Sequence, residues 1–161
     1  LVVMDLTLPG ISGLETIRRI TQQDSAARVL VFSIHDETVF IERALKAGVR
    51  GYISKSSAAE VLIEAVERVL LGELYLGPGI AERLAALNYA DKGGSLAALS
   101  PREFDIFRLL AEGLTVNEIA TLLSLSVKTV ANYNTQIRAK LNVASGAELA
   151  RLAIRFGIVP A

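Results

Sequence analysis

No cysteine occurs in the 161 residues, which excludes a disulfide framework and any thiolate metal site. No apolar run reaches the roughly 18 residues that a membrane span needs, and no charged-then-apolar leader opens the chain. Net charge is missing too, because 17 basic and 17 acidic side chains cancel, so overall charge names no partner. Internal repeats and low-complexity tracts are absent. So are a hydrolytic triad, a metal-ligating cluster and a glycine-rich phosphate loop, which leaves a conventional enzyme without support. A non-enzymatic, cytoplasmic chain with no membrane partner is the expectation.

What is present is globular in character: 52% hydrophobic and 21% charged residues, on a length that allows one large domain or two small ones. The charge is unevenly spread. Residues 128–155 carry Lys128, Arg138, Lys140, Arg151 and Arg155 against Glu148 alone, a modest basic stripe.

Two halves follow different grammars. In the first, LVVMDL, RVLVFSI (28–34) and VRGYI (49–53) are short apolar runs with the character of buried strands. Amphipathic segments at 12–23, 36–48 and 57–72 alternate with them, which predicts a parallel sheet with helical crossovers. From about Leu99 the pattern is helical, over 101–112, 116–123, 127–141 and 146–156. Ser100/Glu103, Thr115/Glu118 and Ser145/Glu148 have the spacing of capping boxes, repeated at Ser12/Glu15 and Ser57/Glu60. Between the halves, GPG ends a helix, IAERLAAL has the pattern of a short one, and NYADKGGS reads as a tether. The expected domains are 1–76, a linker with a short helix over 77–97, and 98–161.

Ligands of parallel α/β sheets gather beyond the carboxyl ends of the strands. Asp5, Ser33 and Lys55 stand at those ends, and neighbouring strands are only about 4.8 Å apart. A carboxylate can form an acyl phosphate, a hydroxyl can bond a phosphoryl oxygen, and an ammonium can neutralise its charge. The three therefore predict one small anion site. His35, the single histidine, lies two residues past Ser33. A solvent-exposed loop position is preferred for it over a role in access to the site.

In the second half, LTVNEIATLLSLSVKTVANYNTQIRAKL reads as helix, tight turn, helix. At 100° per residue, Val130, Tyr133, Ile137 and Leu141 share one stripe of the second helix. Lys128, Ala131, Asn132, Thr135 and Ala139 share the opposite one, with Gln136 and Arg138 on its flanks. Small and polar groups headed by a cation suit a major groove. Lys128, Arg138 and Lys140 are candidate phosphate contacts, with the helix starts at Val116, Asn117 and Ser126.

Two resemblances sharpen this reading. DLTLPG, FSIHDE and GYISK resemble the last three strands of a CheY-like receiver domain. The resemblance implies Asp5 as the phosphoacceptor of a sensor histidine kinase, Ser33 and Lys55 as phosphoryl contacts, and Tyr52 as the switching aromatic. Receivers of that family hold Mg²⁺ with an acidic pair from an earlier strand–helix–strand–helix portion, which this sequence does not contain. Asp5 and the Thr7 carbonyl would be metal ligands once such a pair is supplied. The expectation is a receiver lacking its N-terminal part, poorly phosphorylated, with Mg²⁺ doubtful. Ser56 also stands where many receivers have a proline on a cis peptide.

LSPRE, GLTVNEIA and SVKTVANY followed by KL are similar to the LuxR-type helix-turn-helix domain. That likeness implies Lys128, Ala131, Asn132 and Thr135 facing DNA, Thr129 at a phosphate, and the last helix as a dimer surface. Together the halves resemble a NarL/FixJ-type response regulator. The implied fold is a partial doubly wound (flavodoxin-like) parallel-sheet receiver followed by a four-helix domain. The implied partners are double-stranded DNA, a sensor histidine kinase and a second copy of the chain, and the family admits RNA polymerase. The alternative is an interaction module whose half-receiver pairs with itself or with intact regulators.

Overall fold

The computed structural model describes residues 1–8, 10–90 and 96–160, with 87–90 described as helical backbone. Among these the chain divides into two compact units, the first holding residues 1–8 and 13–90, the second residues 10–12 and 96–160. The tether expected over NYADKGGS lies largely outside the described residues, as does Pro9 of the first turn.

The first unit is a four-stranded parallel sheet: β1 (Val2–Met4), β2 (Val29–Ser33), β3 (Gly51–Ser54) and β4 (Tyr75–Leu76), in that spatial order. Met4 pairs with Val31, Ser33 with Ser54, and Tyr52 with Leu76. Helices α1 (Gly13–Gln23), α2 (Thr38–Lys46) and α3 (Ala59–Leu70) link the strands. Leu30 and Ile53 pack against Ala65 and Val69 of α3. Val29 and Val31, on the alternate face of β2, are also fully buried, so this strand is covered on both sides. That is why it reads as an unbroken apolar run. Gly51 is required by packing: a Cβ there would come within 2.5 Å of Leu30 Cδ1.

β4 has no counterpart in the sequence reading, because two residues are too short to show a period. α4 (Ile80–Ala90) is likewise longer than IAERLAAL suggested. It belongs to the first unit, anchored by buried Ile80 and by a 3.0 Å pair between Arg83 and Asp36.

The second unit comprises a 3-10 turn (Leu96–Ala98), α5 (Pro101–Ala111), α6 (Val116–Leu122), α7 (Val127–Leu141) and α8 (Gly146–Arg155). The Ser100/Glu103 and Thr115/Glu118 boxes form in full. Ser145 caps α8, but Glu148 reaches back to the Ala144 N–H rather than to that of Ser145. The Ser57/Glu60 box does not form. α3 starts after Ala58, which has no capping side chain, while the Ser57 N–H closes a turn onto the Ser54 carbonyl at 3.0 Å. Phe104, Phe107, Ile119, Val130 and Ile137, all fully buried, form the core.

Candidate functional site

The first site lies at the carboxyl ends of β1, β2 and β3. Asp5 follows β1, Ser33 ends β2 and Lys55 follows β3. The Lys55 backbone N–H donates to the Ser33 carbonyl at 2.8 Å, which extends the β2–β3 ladder and aims the lysine side chain. Its Nζ meets Asp5 Oδ2 at 2.5 Å, while the Thr7 N–H donates to Asp5 Oδ1 at 3.0 Å. Burial opposes the Asp5 charge, yet the Lys55 ammonium and the Thr7 N–H outweigh it and hold the carboxyl below its ordinary value of 3.8. Asp5 is therefore a charged acceptor with both oxygens engaged.

Ser33 is fully buried, and its Oγ accepts the His35 N–H at 3.2 Å. Tyr52 is also fully buried and donates its hydroxyl to the His35 carbonyl at 2.5 Å. Burial, followed by the Glu37 carboxylate, pushes the phenol well above its ordinary value. All described peptide bonds are trans. At Ser56, the loop after Lys55 is tied instead by a 2.8 Å hydroxyl pair with Ser54.

The expected exposure of His35 is corrected. Its ring stacks on Phe40 with centroids 4.3 Å apart, Nε2 lies 3.1 Å from Thr7 Oγ1, and the side chain is 14% exposed. The sequence signal for this placement is Phe40, five residues on, which gives the imidazole an aromatic wall.

The fit of Mg²⁺ to these residues fails. A hard cation of that size asks for six oxygens, usually with one or two carboxylates. Among the described residues no group of three His, Asp or Glu side chains is placed to hold a metal. Asp5 and the Thr7 carbonyl do not make such a set, and Asp36 is paired with Arg83.

The second site is the exposed face of α7. Ser126 caps the helix by accepting the Thr129 N–H at 3.0 Å, and Oγ1 of half-buried Thr129 lies 2.7 Å from Ser126 Oγ. Val130, Ile137 and Leu141 are buried, with Tyr133 half-buried beside them. Lys128, Ala131, Asn132, Thr135 and Ala139 are exposed together on the opposite side, as the 100° projection requires. Asn117 is exposed and Val116 half-buried at the start of α6.

Two of the expected phosphate-contacting cations are engaged inside the unit. Arg138 donates to Asn134 Oδ1 at 3.0 Å and to the Ala144 carbonyl at 3.2 Å. Lys140 Nζ meets Glu103 Oε2 at 2.7 Å, and Glu103 is 3% exposed. Burial raises the Glu103 carboxyl, but Lys140 and the Ser100 N–H and hydroxyl bring it below its ordinary value.

Comparison with known proteins places both halves. Residues 1–67 match the response regulator receiver domain, and residues 97–153 match the bacterial regulatory proteins of the luxR family. The transcriptional activator protein ExaE of Pseudomonas putida is 46% identical over 162 residues, covering 99% of this chain and 76% of that protein. The response regulator UvrY of Escherichia coli K12 is 35% identical over 159 residues, covering 98% and 73%. Among solved structures, RcsB of Salmonella enterica serovar Typhimurium, bound to promoter P1flhDC with the phosphomimetic BeF3-, aligns with a TM-score of 0.59. It is 26% identical, over 92% of this chain and 72% of that one. The parallel-sheet unit with its Asp5–Lys55 pair and the helical unit with its capped α7 therefore have one family in common: this chain belongs to the NarL/FixJ-type two-component response regulators, with a receiver domain and a LuxR-type DNA-binding domain.

Proposed function

We propose that this chain regulates transcription by laying α7 in the major groove of duplex DNA, under the control of phosphoryl transfer to Asp5. The observation that carries the reading is the two-faced α7, with Val130, Ile137 and Leu141 buried and Lys128, Ala131, Asn132 and Thr135 exposed. RcsB, whose fold this chain shares, is seen on a promoter. Lys128 and Thr129 would meet phosphates, with Val116 and Asn117 alongside at the start of α6. The domain limits proposed are 1–76 for the receiver portion, 77–97 for the linker, whose helix α4 packs on the first unit, and 98–161 for the DNA-binding domain.

At Asp5, a carboxylate oxygen would attack the phosphorus carried by a sensor histidine kinase, and the bond from phosphorus to the donor nitrogen would break. Lys55 already faces that carboxylate and would neutralise the new charge, Ser33 would bond a phosphoryl oxygen, and Tyr52 would report the change. Receiver domains of this family use Mg²⁺, and the residues here do not fit it by themselves. We therefore assign efficient phosphorylation to a chain whose acidic pair comes from residues other than these 161, and only weak phosphorylation to these residues alone. A second copy would pair through α8, where Ile154 is 40% exposed. ExaE is a transcriptional activator. Extended to this chain, that activity adds RNA polymerase as a partner and the cytoplasm as the location.

The test combines gel-shift and labelling measurements. Lys128→Ala with Asn132→Ala abolishes binding to promoter DNA if the reading holds; binding that survives the pair refutes it. A small phosphodonor with Mg²⁺ labels residues 1–161 weakly, and strong labelling lost in Asp5→Asn overturns the phosphorylation part. A second reading, an interaction module, is favoured by β1, which is the edge of the sheet and leaves Val3 half exposed. It gains if that double variant still assembles and still regulates without DNA affinity.

A further inference from the structure

We propose that α7 reads its half-site through amide and methyl groups, with Asn132 on an adenine and the methyls of Ala131 and Thr135 on thymine, and not through a cation on guanine. This rests on the placing of α7 in the major groove.

The commonest specific contact to guanine is a bidentate arginine or lysine on O6 and N7. α7 carries one arginine, Arg138, and it is occupied: Nε donates to Asn134 and Nη1 to the Ala144 carbonyl. Its fork spans the turn into α8 instead of projecting from the exposed stripe. Lys140 is held on Glu103. Lys128 remains, exposed at the second residue of the helix, a point charge at the end that approaches a phosphate.

The centre of the stripe has another chemistry. Asn132 is exposed, and its amide offers an acceptor and a donor side by side, the complement of adenine N6 and N7. Thr135 donates its hydroxyl proton to the Ala131 carbonyl at 3.1 Å. Its oxygen has no proton left for the O6 and N7 acceptors of guanine, so the side chain presents a methyl group and lone pairs. Ala131 and Ala139 are exposed and add only methyls, short enough to bring the helix close to the thymine C5-methyl. Asn132 and Thr135 are separated by about 4.5 Å of helix rise. A base step is about 3.4 Å, so the two side chains reach neighbouring base pairs.

The test is selection from a pool of randomised duplexes by the 161-residue chain, followed by competition with defined duplexes. Wild type enriches adenine at one position of each half-site with thymine beside it. Asn132→Ala loses roughly tenfold or more of the discrimination at that adenine, read as the ratio of the four bases within one experiment. Asn132→Arg moves the preference to guanine. Replacing the thymine by deoxyuridine weakens wild type severalfold, and Thr135→Ser, which keeps the hydroxyl and leaves the Ala131 methyl in place, narrows the difference between thymine and uracil. Lys128→Ala weakens all sequences alike and lowers the slope of log K against log salt by about one.

Enrichment of guanine at either position overturns the assignment. So does a base preference unchanged in Asn132→Ala, or indifference of wild type to the thymine methyl. Those results leave the DNA-binding reading standing as long as wild type binds duplex with a normal salt dependence. Failure to bind any duplex at low salt removes both.

Discussion

Lys140 Nζ lies 2.7 Å from Oε2 of Glu103, 37 positions earlier in the chain, and so joins the end of α7 to the start of α5. The same carboxylate accepts the Ser100 N–H at 2.7 Å and completes the capping box. One buried acid therefore serves a helix start and a tertiary contact together.

Removing the lysine leaves that acid without its cation. Lys140→Ala is expected to cost about 1–2 kcal/mol in chemical denaturation. That is below the ~3–5 kcal/mol of a fully buried pair, because the lysine side chain is 42% exposed and the Ser100 cap survives. The pH dependence has a definite sign. The Glu103 carboxyl is depressed on folding, so its contribution is complete above its ordinary value of 4.5 and is lost as pH falls through the lower folded value. Lys140→Ala moves that acid loss to higher pH, as acid unfolding curves of the two proteins will show.

Helix starts give a paired prediction. Ser100→Ala removes an acceptor from the Glu103 N–H and is expected to cost about 1 kcal/mol. Ser57→Ala, at a position of similar sequence pattern, changes stability by less than about 0.5 kcal/mol, because α3 begins after Ala58 and no side chain caps it. Equal losses from the two substitutions would contradict the observed starts.

The Asp5 carboxyl can be followed directly by carbon NMR. Its midpoint lies below 3.8 in wild type. In Lys55→Met burial is opposed chiefly by the Thr7 N–H, so the midpoint rises. A midpoint unmoved by Lys55→Met would separate the two residues and remove the basis for a shared phosphoryl site.

His35→Ala takes away the ring stacked on Phe40 and the partner of Thr7 Oγ1. A loss of about 1–2 kcal/mol is expected from the ring contact and the hydrogen bond together. His35→Phe keeps the stack and restores part of it. Stability unchanged in His35→Ala would return the residue to the solvent-exposed loop suggested by its sequence position.

Local signals account for what could be read without coordinates. A cap hydroxyl and the acid three residues on act within one turn, so Ser100 and Thr115 marked their helices correctly, as did the lone cap hydroxyl of Ser126. α7 runs over 127–141, as its period and cap require. Asp5, Ser33 and Lys55 were legible as a set because apolar strands end at each of them, and the Asp5–Lys55 contact follows from the parallel register. The Ser57 pattern misled because a capping box is a spacing, while its formation depends on where the preceding turn leaves the chain.

The residue types, strand ends and helix periods of this protein, and through them its family, were thus determined by the sequence alone, since each depends on neighbours within a few positions. Tertiary structure alone decided that His35 is walled by Phe40, that Tyr75–Leu76 joins the sheet, and that Arg138 and Lys140 find partners within their own unit, on the Ala144 carbonyl and on Glu103. Those outcomes are set by burial and by partners distant in sequence. A side chain's charge is written in the chain, but the group that neutralises it is chosen only when the elements pack.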